Sequence, residues 1–145
     1  IPTGELRPVE GTPFDFRAPK LIGKDIAGSD EQLALAHGYD HCFCIDGYTA
    51  NAADGGSARF AVRALDPVSG RGMEVWTSLP GMQLYTGNFL KETGKGGVAY
   101  GQFDAFCLET QNYPDAPNHP NFPSALLLPG IPYVRETVYA FTRTD

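Results

Sequence analysis

Short runs in which apolar and polar residues alternate dominate the chain. The clearest pair covers residues 58–65 and 72–79, where every second side chain is apolar or aromatic. Such a period of two is typical of a strand with one face buried, because successive side chains point to opposite faces. The intervening Asp66-Pro67-Val68-Ser69-Gly70 has the residues that favour a turn. The pattern therefore predicts a β-hairpin.

Further strands are predicted elsewhere by the same alternation. One begins near Tyr39, where Tyr39, His41, Phe43 and Ile45 would share one face and Asp40, Cys42, Cys44 and Asp46 the other. The others cover residues 82–86, 103–109 and 133–143. The strand at 103–109 is expected to end on Glu109, before a loop rich in Pro and Asn.

Helix is nearly absent from the pattern. Ser29 followed by Gln32 resembles a capping box ahead of the apolar run 33–36, although a single helical turn fits equally well. Prolines recur in residues 1–24, which are read as extended, and in residues 113–132, which are read as a proline-stiffened excursion; residues 51–57 are read as a turn-rich loop. With 17 Gly and 12 Pro among 145 residues, an all-β, antiparallel domain with long loops is expected.

Composition narrows the range of partners. The net charge of −6 disfavours nucleic acid, since phosphate binding needs a basic face. No apolar run approaches the roughly 20 residues of a membrane span. Cys42, Cys44 and Cys107 cannot all pair within the chain and no Asn-x-Ser/Thr acceptor is present, which predicts a reducing, cytoplasmic location. Because Ile1 is not an initiator Met, an upstream segment is expected to have been removed.

Several kinds of site are disfavoured by spacing. The cluster of His37, His41, Cys42 and Cys44 lacks the second ligand pair of a structural zinc site, so no metal is predicted and the thiols are read as buried. Neither Gly23-Lys24 nor residues 94–97 are followed by Ser or Thr or by a long helix. Both are therefore read as hairpin loops rather than phosphate sites. No Ser lies in a nucleophile-elbow motif.

Three polar residues on predicted strands remain: Asp40, Gln83 and Glu109. A sugar site needs carboxylates and amides for hydroxyl groups, and aromatic rings for C–H faces. Solvated edge residues with no shared role would give the same pattern. The spacing alone leaves both interpretations open.

Several ordered blocks resemble the galactose mutarotase (aldose 1-epimerase) family, from Ile1 to the last strand. The blocks are Ile1-Pro2-Thr3-Gly4-Glu5, Gly11-Thr12-Pro13-Phe14-Asp15-Phe16-Arg17, Gly38-Tyr39-Asp40-His41, Pro80-Gly81-Met82-Gln83-Leu84-Tyr85-Thr86-Gly87-Asn88-Phe89, and Cys107 to Ala116. The resemblance implies a β-supersandwich and interconversion of the α and β anomers of galactose or glucose. It implies that Glu109 is the general base, that Asp40 and Gln83 hold sugar hydroxyls, and that no cofactor is needed.

One part of the family pattern has no counterpart here. The family's general acid is a His in an Asn-His-Thr-Tyr-Phe-Asn-like block, and His37, His41 and His119 do not match it. The resemblance therefore implies that residues 1–145 are the C-terminal portion of a single mutarotase-like domain. A complementary N-terminal chain, or a second copy, is expected to accompany it.

Two other functions stay open at this stage. Asp40, Gln83 and Glu109 could hold a monosaccharide without turning it over, as in a binding or regulatory module. A glycosidase could instead use Asp40 and Glu109 as its carboxylate pair, although the family blocks do not support this.

Overall fold

A computed structural model describes residues 1–49 and 56–144, so most of the predicted loop at 51–57 lies outside the described residues. Strands predominate and helices are short, which confirms the predicted all-β class. The one α-helix of the described parts is α1 (Glu31–Ala36), and the strands are β1 (Asp40–Cys44), β2 (Arg59–Leu65), β3 (Arg71–Thr77), β4 (Gly81–Tyr85), β5 (Glu92–Thr93), β6 (Ala99–Tyr100), β7 (Cys107–Gln111) and β8 (Thr137–Arg143).

The predicted hairpin is present as β2 and β3, and β8 extends it to three strands in the order β2-β3-β8. Both pairs are antiparallel, and β3 pairs with β8 without interruption from Arg71↔Arg143 to Thr77↔Thr137. A register shift between Phe60 and Val62 interrupts the pairing of β2 with β3. An irregularity of this kind bends a strand and increases its local twist.

A second sheet has the order β1-β4-β7 and contains all three candidate site residues. Its central strand β4 alternates in burial: Met82 and Leu84 are buried, whereas Gln83 between them is not. Because side chains alternate across a strand, Gln83 lies on the face opposite these two apolar residues.

The helix is present, but its predicted N-cap is wrong by one residue. Asp30, not Ser29, is the N-cap, and its side chain accepts hydrogen bonds from the backbone N–H groups of Gln32 and Leu33. Ser and Asp are both good N-cap residues. Here it is the side chain of Asp30, not that of Ser29, that reaches these two donors. His37 ends the helix in the left-handed conformation at φ 57°.

Other boundaries also differ from those predicted. Phe103 has φ 68°, so the strand placed at 103–109 begins only at Cys107 and continues past Glu109 to Gln111. The segment 91–97 includes β5, and Gly94–Gly97 forms the predicted hairpin loop because β5 pairs with β6. Gly23-Lys24, also read as a hairpin loop, instead belongs to the 3-10 helix Ile22–Lys24.

The chain forms two compact units. The first comprises Ile1, 42–82 and 110–145, and its buried apolar residues include Val75 and Leu79. The second comprises 2–41 and 83–109, and is centred on buried Leu33, Tyr39 and Leu84. Nowhere in the described parts of the chain does a helix reach the length and apolar character needed to cross a bilayer.

Candidate functional site

Asp40 and Gln83 are joined by a direct hydrogen bond. The side-chain amide of Gln83 donates from Nε2 to Oδ1 of Asp40 at 2.7 Å. Asp40 is the first residue of β1 and Gln83 the middle residue of β4, the neighbouring strand. The bond orients a carboxylate and an amide towards each other on the more exposed face of the sheet, with one carboxylate oxygen of Asp40 still available.

Glu109 lies on β7, the strand that borders β4 on its other side. Close approaches fix the register: Gly81 faces Gln111, and Gly87 faces Ala105. While the chain advances from Gly81 through β4 to Gly87, the partner segment runs back from Gln111 to Ala105, so the two are antiparallel. This register places Glu109 beside Gln83. The three predicted residues therefore come from three neighbouring strands, with Gln83 in the middle.

The Glu109 side chain is exposed, whereas Leu108 and Thr110 on either side of it are half-buried. Within residues 1–49 and 56–144, no hydrogen bond or ion pair occupies its carboxylate. The sequence placed Glu109 at the end of a strand, but it is the third of the five residues of β7. Strand residues precede and follow Glu109 in β7, so its backbone is fixed by strand pairing. Its carboxylate oxygens remain free to accept protons.

The backbone that precedes Asp40 is held by a buried polar network. Thr86 Oγ1 accepts the N–H of Tyr39 at 3.0 Å, and Asn88 Nδ2 donates to the carbonyls of Ala36 at 2.7 Å and Tyr39 at 3.0 Å. Thr86 and Asn88 are 2% and 3% exposed. Buried polar groups with several partners order the chain around them. Sequence reasoning assigned no role to either residue, although both lie in the block that begins at Pro80.

Aromatic rings and the Tyr39 hydroxyl hold the second unit together on the other side of β1. Phe14 and Phe16 pack edge-on against Tyr39, with ring centroids 5.6 and 5.4 Å apart. The Tyr39 hydroxyl donates to the carbonyl of Pro13 at 2.8 Å, and burial raises its pKa to about 12. The N-terminal segment thus packs on this strand instead of folding on itself.

The cysteines do not fit the prediction of buried thiols. All three are free, Cys42 is half-buried, and Cys44 and Cys107 are exposed. A β core would cover these strands, whereas both β1 and β7 carry exposed side chains. Burial raises the pKa of Cys42, whose Sγ also lies against Gly81. Among the described residues, no group of three or more His, Cys, Asp or Glu side chains is arranged to hold a metal ion.

Each of the three histidines packs against an aromatic ring. His41 packs on Phe14, with ring centroids 4.6 Å apart, and His37 packs on Phe89. Nε2 of His119 lies 3.3 Å from Asp115 Oδ2, and its ring is tilted against Phe122. Among the described residues these contacts are with aromatic rings and Asp115, not with the carboxylates of Asp40 and Glu109.

Comparison with known proteins identifies the family of the chain. The sequence profile of the aldose 1-epimerase family matches residues 1–140, nearly the whole chain. The chain belongs to the aldose 1-epimerase family. The resemblance read from the blocks around Asp40, Gln83 and Glu109 is thereby confirmed at the level of the family.

Curated relatives and a solved structure of this family extend the match. Galactose mutarotase from Homo sapiens is 46% identical over 144 residues, which cover 98% of this chain and 39% of the relative. Aldose 1-epimerase from Escherichia coli is 35% identical and is covered to 40%. The crystal structure of a GalM/aldose epimerase homologue from C. elegans superposes with a TM-score of 0.77 at 31% identity, covering 99% of this chain and 41% of that one. The chain thus spans about two fifths of the length of these epimerases.

Proposed function

We propose that this chain carries the general base and part of the sugar site of an aldose 1-epimerase that acts on galactose or glucose. Glu109 is the base, and Asp40 and Gln83 bind sugar hydroxyls. The observation that carries the proposal is that the three residues lie on neighbouring strands, with Asp40 and Gln83 already hydrogen-bonded and Glu109 exposed. Family membership supports the same reaction.

The reaction requires only proton transfers from the protein. Glu109 removes the proton of the anomeric hydroxyl, the C1 carbonyl forms, and the bond from C1 to the ring oxygen breaks as an acid protonates that oxygen. Rotation about C1–C2 presents the other face of the carbonyl, and reclosure returns both protons. The hemiacetal of a free aldose is reactive enough that this route needs no cofactor.

The general acid is proposed to come from outside these 145 residues. Neither His37, His41 nor His119 lies in a block that matches the family's acid histidine. A complementary N-terminal polypeptide, or a second copy of the chain, would supply it. Exposed apolar side chains in the first unit support such a companion: Leu126, Leu127, Leu128, Ile131, Val138 and Phe141 are all solvent-exposed.

The companion can be tested directly. The intact masses of all polypeptides in the purified preparation should include one of roughly the remaining family length, or sedimentation should show a dimer. A single species of 15.7 kDa that sediments as a monomer at micromolar concentration would contradict both forms of companion.

Glu109→Gln tests the catalytic role. Loss of the base should lower the enzymatic rate of mutarotation by about 10²- to 10⁴-fold, since general-base assistance contributes a factor of this size. The rate is followed by polarimetry on freshly dissolved α-D-galactose, with the companion present. Glu92→Gln, an exposed carboxylate on β5, is the matched control and should retain the rate. A wild-type rate in the Glu109→Gln protein would contradict the assignment.

A monosaccharide-binding module without turnover is the second candidate. It is favoured by the Asp40–Gln83 bond, which is formed without any contribution from an acid. Titration calorimetry with galactose separates the two: binding with no acceleration of mutarotation, even in the presence of the companion, supports the module. A protein that binds and accelerates is the epimerase.

A further inference from the structure

His41 makes an unusual contact with the residue before it. The backbone N–H of Asp40 donates to Nδ1 of His41 at 3.0 Å. The His41 ring is fixed from its other side by Phe14, with an interplanar angle of 63°. The ring therefore bridges the N-terminal segment and the main chain of Asp40, the residue whose carboxylate accepts from Gln83.

The position of Asp40 in its sheet explains why its N–H needs such an acceptor. In the order β1-β4-β7, β1 is an outer strand. The N–H and C=O of Tyr39 both meet Thr86, on the β4 side of the strand. Successive N–H groups along a strand point to opposite sides, so the N–H of Asp40 points away from β4. No ladder acceptor stands there in the described chain, and His41 Nδ1 takes that place.

This contact requires a neutral ring. An Nδ1 that accepts a hydrogen bond carries no hydrogen, so the proton of the neutral imidazole is on Nε2. Burial lowers the pKa of His41, while the carboxylates of Asp40 on its own strand and Asp30 at the start of α1 act in the opposite direction. Phe14, the neighbour from the N-terminal segment, adds no charge. Protonation would place an N–H against the N–H of Asp40 and break the bond.

We propose that His41 is a positioning residue, whose Nδ1 holds the main chain of Asp40 so that its carboxylate stays on Gln83 and faces the sugar. The sugar-binding part of this inference rests on the proposed function. The positioning of Asp40 by His41 is inferred from the two contacts of the ring, with the Asp40 N–H and with Phe14, and does not depend on a bound ligand.

Three substitutions separate the acceptor from the ring. His41→Asn puts an amide oxygen close to the place of Nδ1, His41→Gln moves the acceptor towards the place of Nε2, and His41→Phe keeps a ring against Phe14 without an acceptor. A residue that matters only for packing would tolerate Phe best and Asn worst. A residue that positions Asp40 through Nδ1 gives the reverse order.

The first readout is the side-chain amide signal of Gln83 in ¹⁵N-resolved NMR spectra of the full chain. His41→Phe and His41→Gln should shift this signal towards that of a free amide, and His41→Asn should leave it near the wild-type value. In the wild type the signal should also shift reversibly as the pH falls below the ordinary histidine value of 6.5, and in His41→Asn it should not. The signal is assigned from its loss in Gln83→Ala.

The second readout is the dissociation constant for D-galactose. His41→Phe should weaken binding by roughly three- to tenfold, the size expected for losing one hydrogen bond. Unchanged Gln83 signals in all three variants, or the same shift in all three, would overturn the positioning role whatever the sugar does. If the wild type does not bind galactose but its Gln83 signal follows the predicted order, the proposed function fails and the hold on Asp40 remains.

Discussion

The network around Tyr39, Thr86 and Asn88 and the sheet β2-β3-β8 show opposite departures from a simple apolar core. In the network, polar side chains are buried and each is hydrogen-bonded: Asn88 alone bridges two carbonyls and the Thr86 hydroxyl. In the sheet, large apolar side chains stay in solvent, and Phe141 on β8 is 78% exposed. One region is complete in itself, and the other leaves apolar surface for something else to cover.

The difference shows which parts of the molecule depend on this chain alone. The network fixes the backbone on either side of the Asp40–Gln83 pair with residues of the second unit only. The geometry of that pair should therefore persist without a companion. Apolar side chains of β8 stay partly or largely exposed within the described chain, up to 78% for Phe141, and apolar surface of this kind is typical of an interface. Substitutions in the two regions should therefore have contrasting effects on stability.

The largest effect is expected at Asn88. Asn88→Ala leaves the carbonyl of Ala36 without the donor that Asn88 supplies, and it removes one of the hydrogen bonds of the Tyr39 carbonyl and one of the Thr86 hydroxyl. Because a group left without a partner costs about 1–3 kcal/mol and each further lost hydrogen bond about 0.5–1.5 kcal/mol, we expect a loss of about 2–4 kcal/mol in the free energy of unfolding. Urea denaturation followed by circular dichroism measures it.

Thr142→Ala on β8 is the matched control, since it also removes a polar side chain but from an exposed position. It should change the free energy of unfolding by less than about 0.5 kcal/mol. Similar losses in the two variants would mean that the buried network is no more important to stability than the surface of the sheet.

A pH dependence of stability is expected from Tyr39 in the same network. The pKa of Tyr39 is raised by burial from 10.0 to about 12, so between these values the unfolded chain loses a proton that the folded chain keeps. Stability from this group is therefore complete below pH 10 and declines as the pH rises towards 12. Tyr39→Phe should flatten this decline, at the cost of the hydrogen bond to Pro13, about 1 kcal/mol at neutral pH.

The raised pKa of Tyr113, caused mainly by burial, acts in the same pH range, so Tyr113→Phe serves as the comparison. If the alkaline decline is unchanged by Tyr39→Phe and abolished by Tyr113→Phe, the effect belongs to the first unit and not to the network. Thermal unfolding between pH 8 and pH 11 gives the necessary curves.

The sequence predicted those features that depend on local patterns. Alternation placed the hairpin at β2 and β3 and a strand at 82–86, because successive side chains along a strand point to opposite faces. Family blocks, which combine many positions, then drew attention to Asp40, Gln83 and Glu109. The choice between Ser29 and Asp30 as helix cap could not be made, since adjacent residues of equal capping propensity differ only in backbone geometry.

Long-range contacts explain the remaining errors. The strand was predicted to end at Glu109 because a loop rich in Pro and Asn follows, yet Thr110 Oγ1 lies 2.9 Å from that of Thr137 and β7 continues to Gln111. The Tyr39–Thr86 bond joins residues 47 positions apart, and no local sequence pattern around either residue predicts it. The contact of His41 with Asp40 is local, but it depends on a side-chain rotation that a period of two does not encode.

The smallest effect on stability, and the sharpest contrast with Asn88, is expected at Phe141. Met73, its pairing partner on β3, is half-buried. The Phe141 side chain itself contributes little buried area, because 78% of it is already exposed to water. Phe141→Ser should change the free energy of unfolding by no more than about 0.5 kcal/mol. If β8 is covered by a companion, the same substitution should lower association measurably, as seen by sedimentation or by co-purification.

Val75→Ala in the buried part of the same sheet should do the reverse, with a loss of about 2 kcal/mol in stability and intact association. Full association with Phe141→Ser would show that the companion binds elsewhere, and a large loss of stability would show that the exposed ring supports the sheet itself.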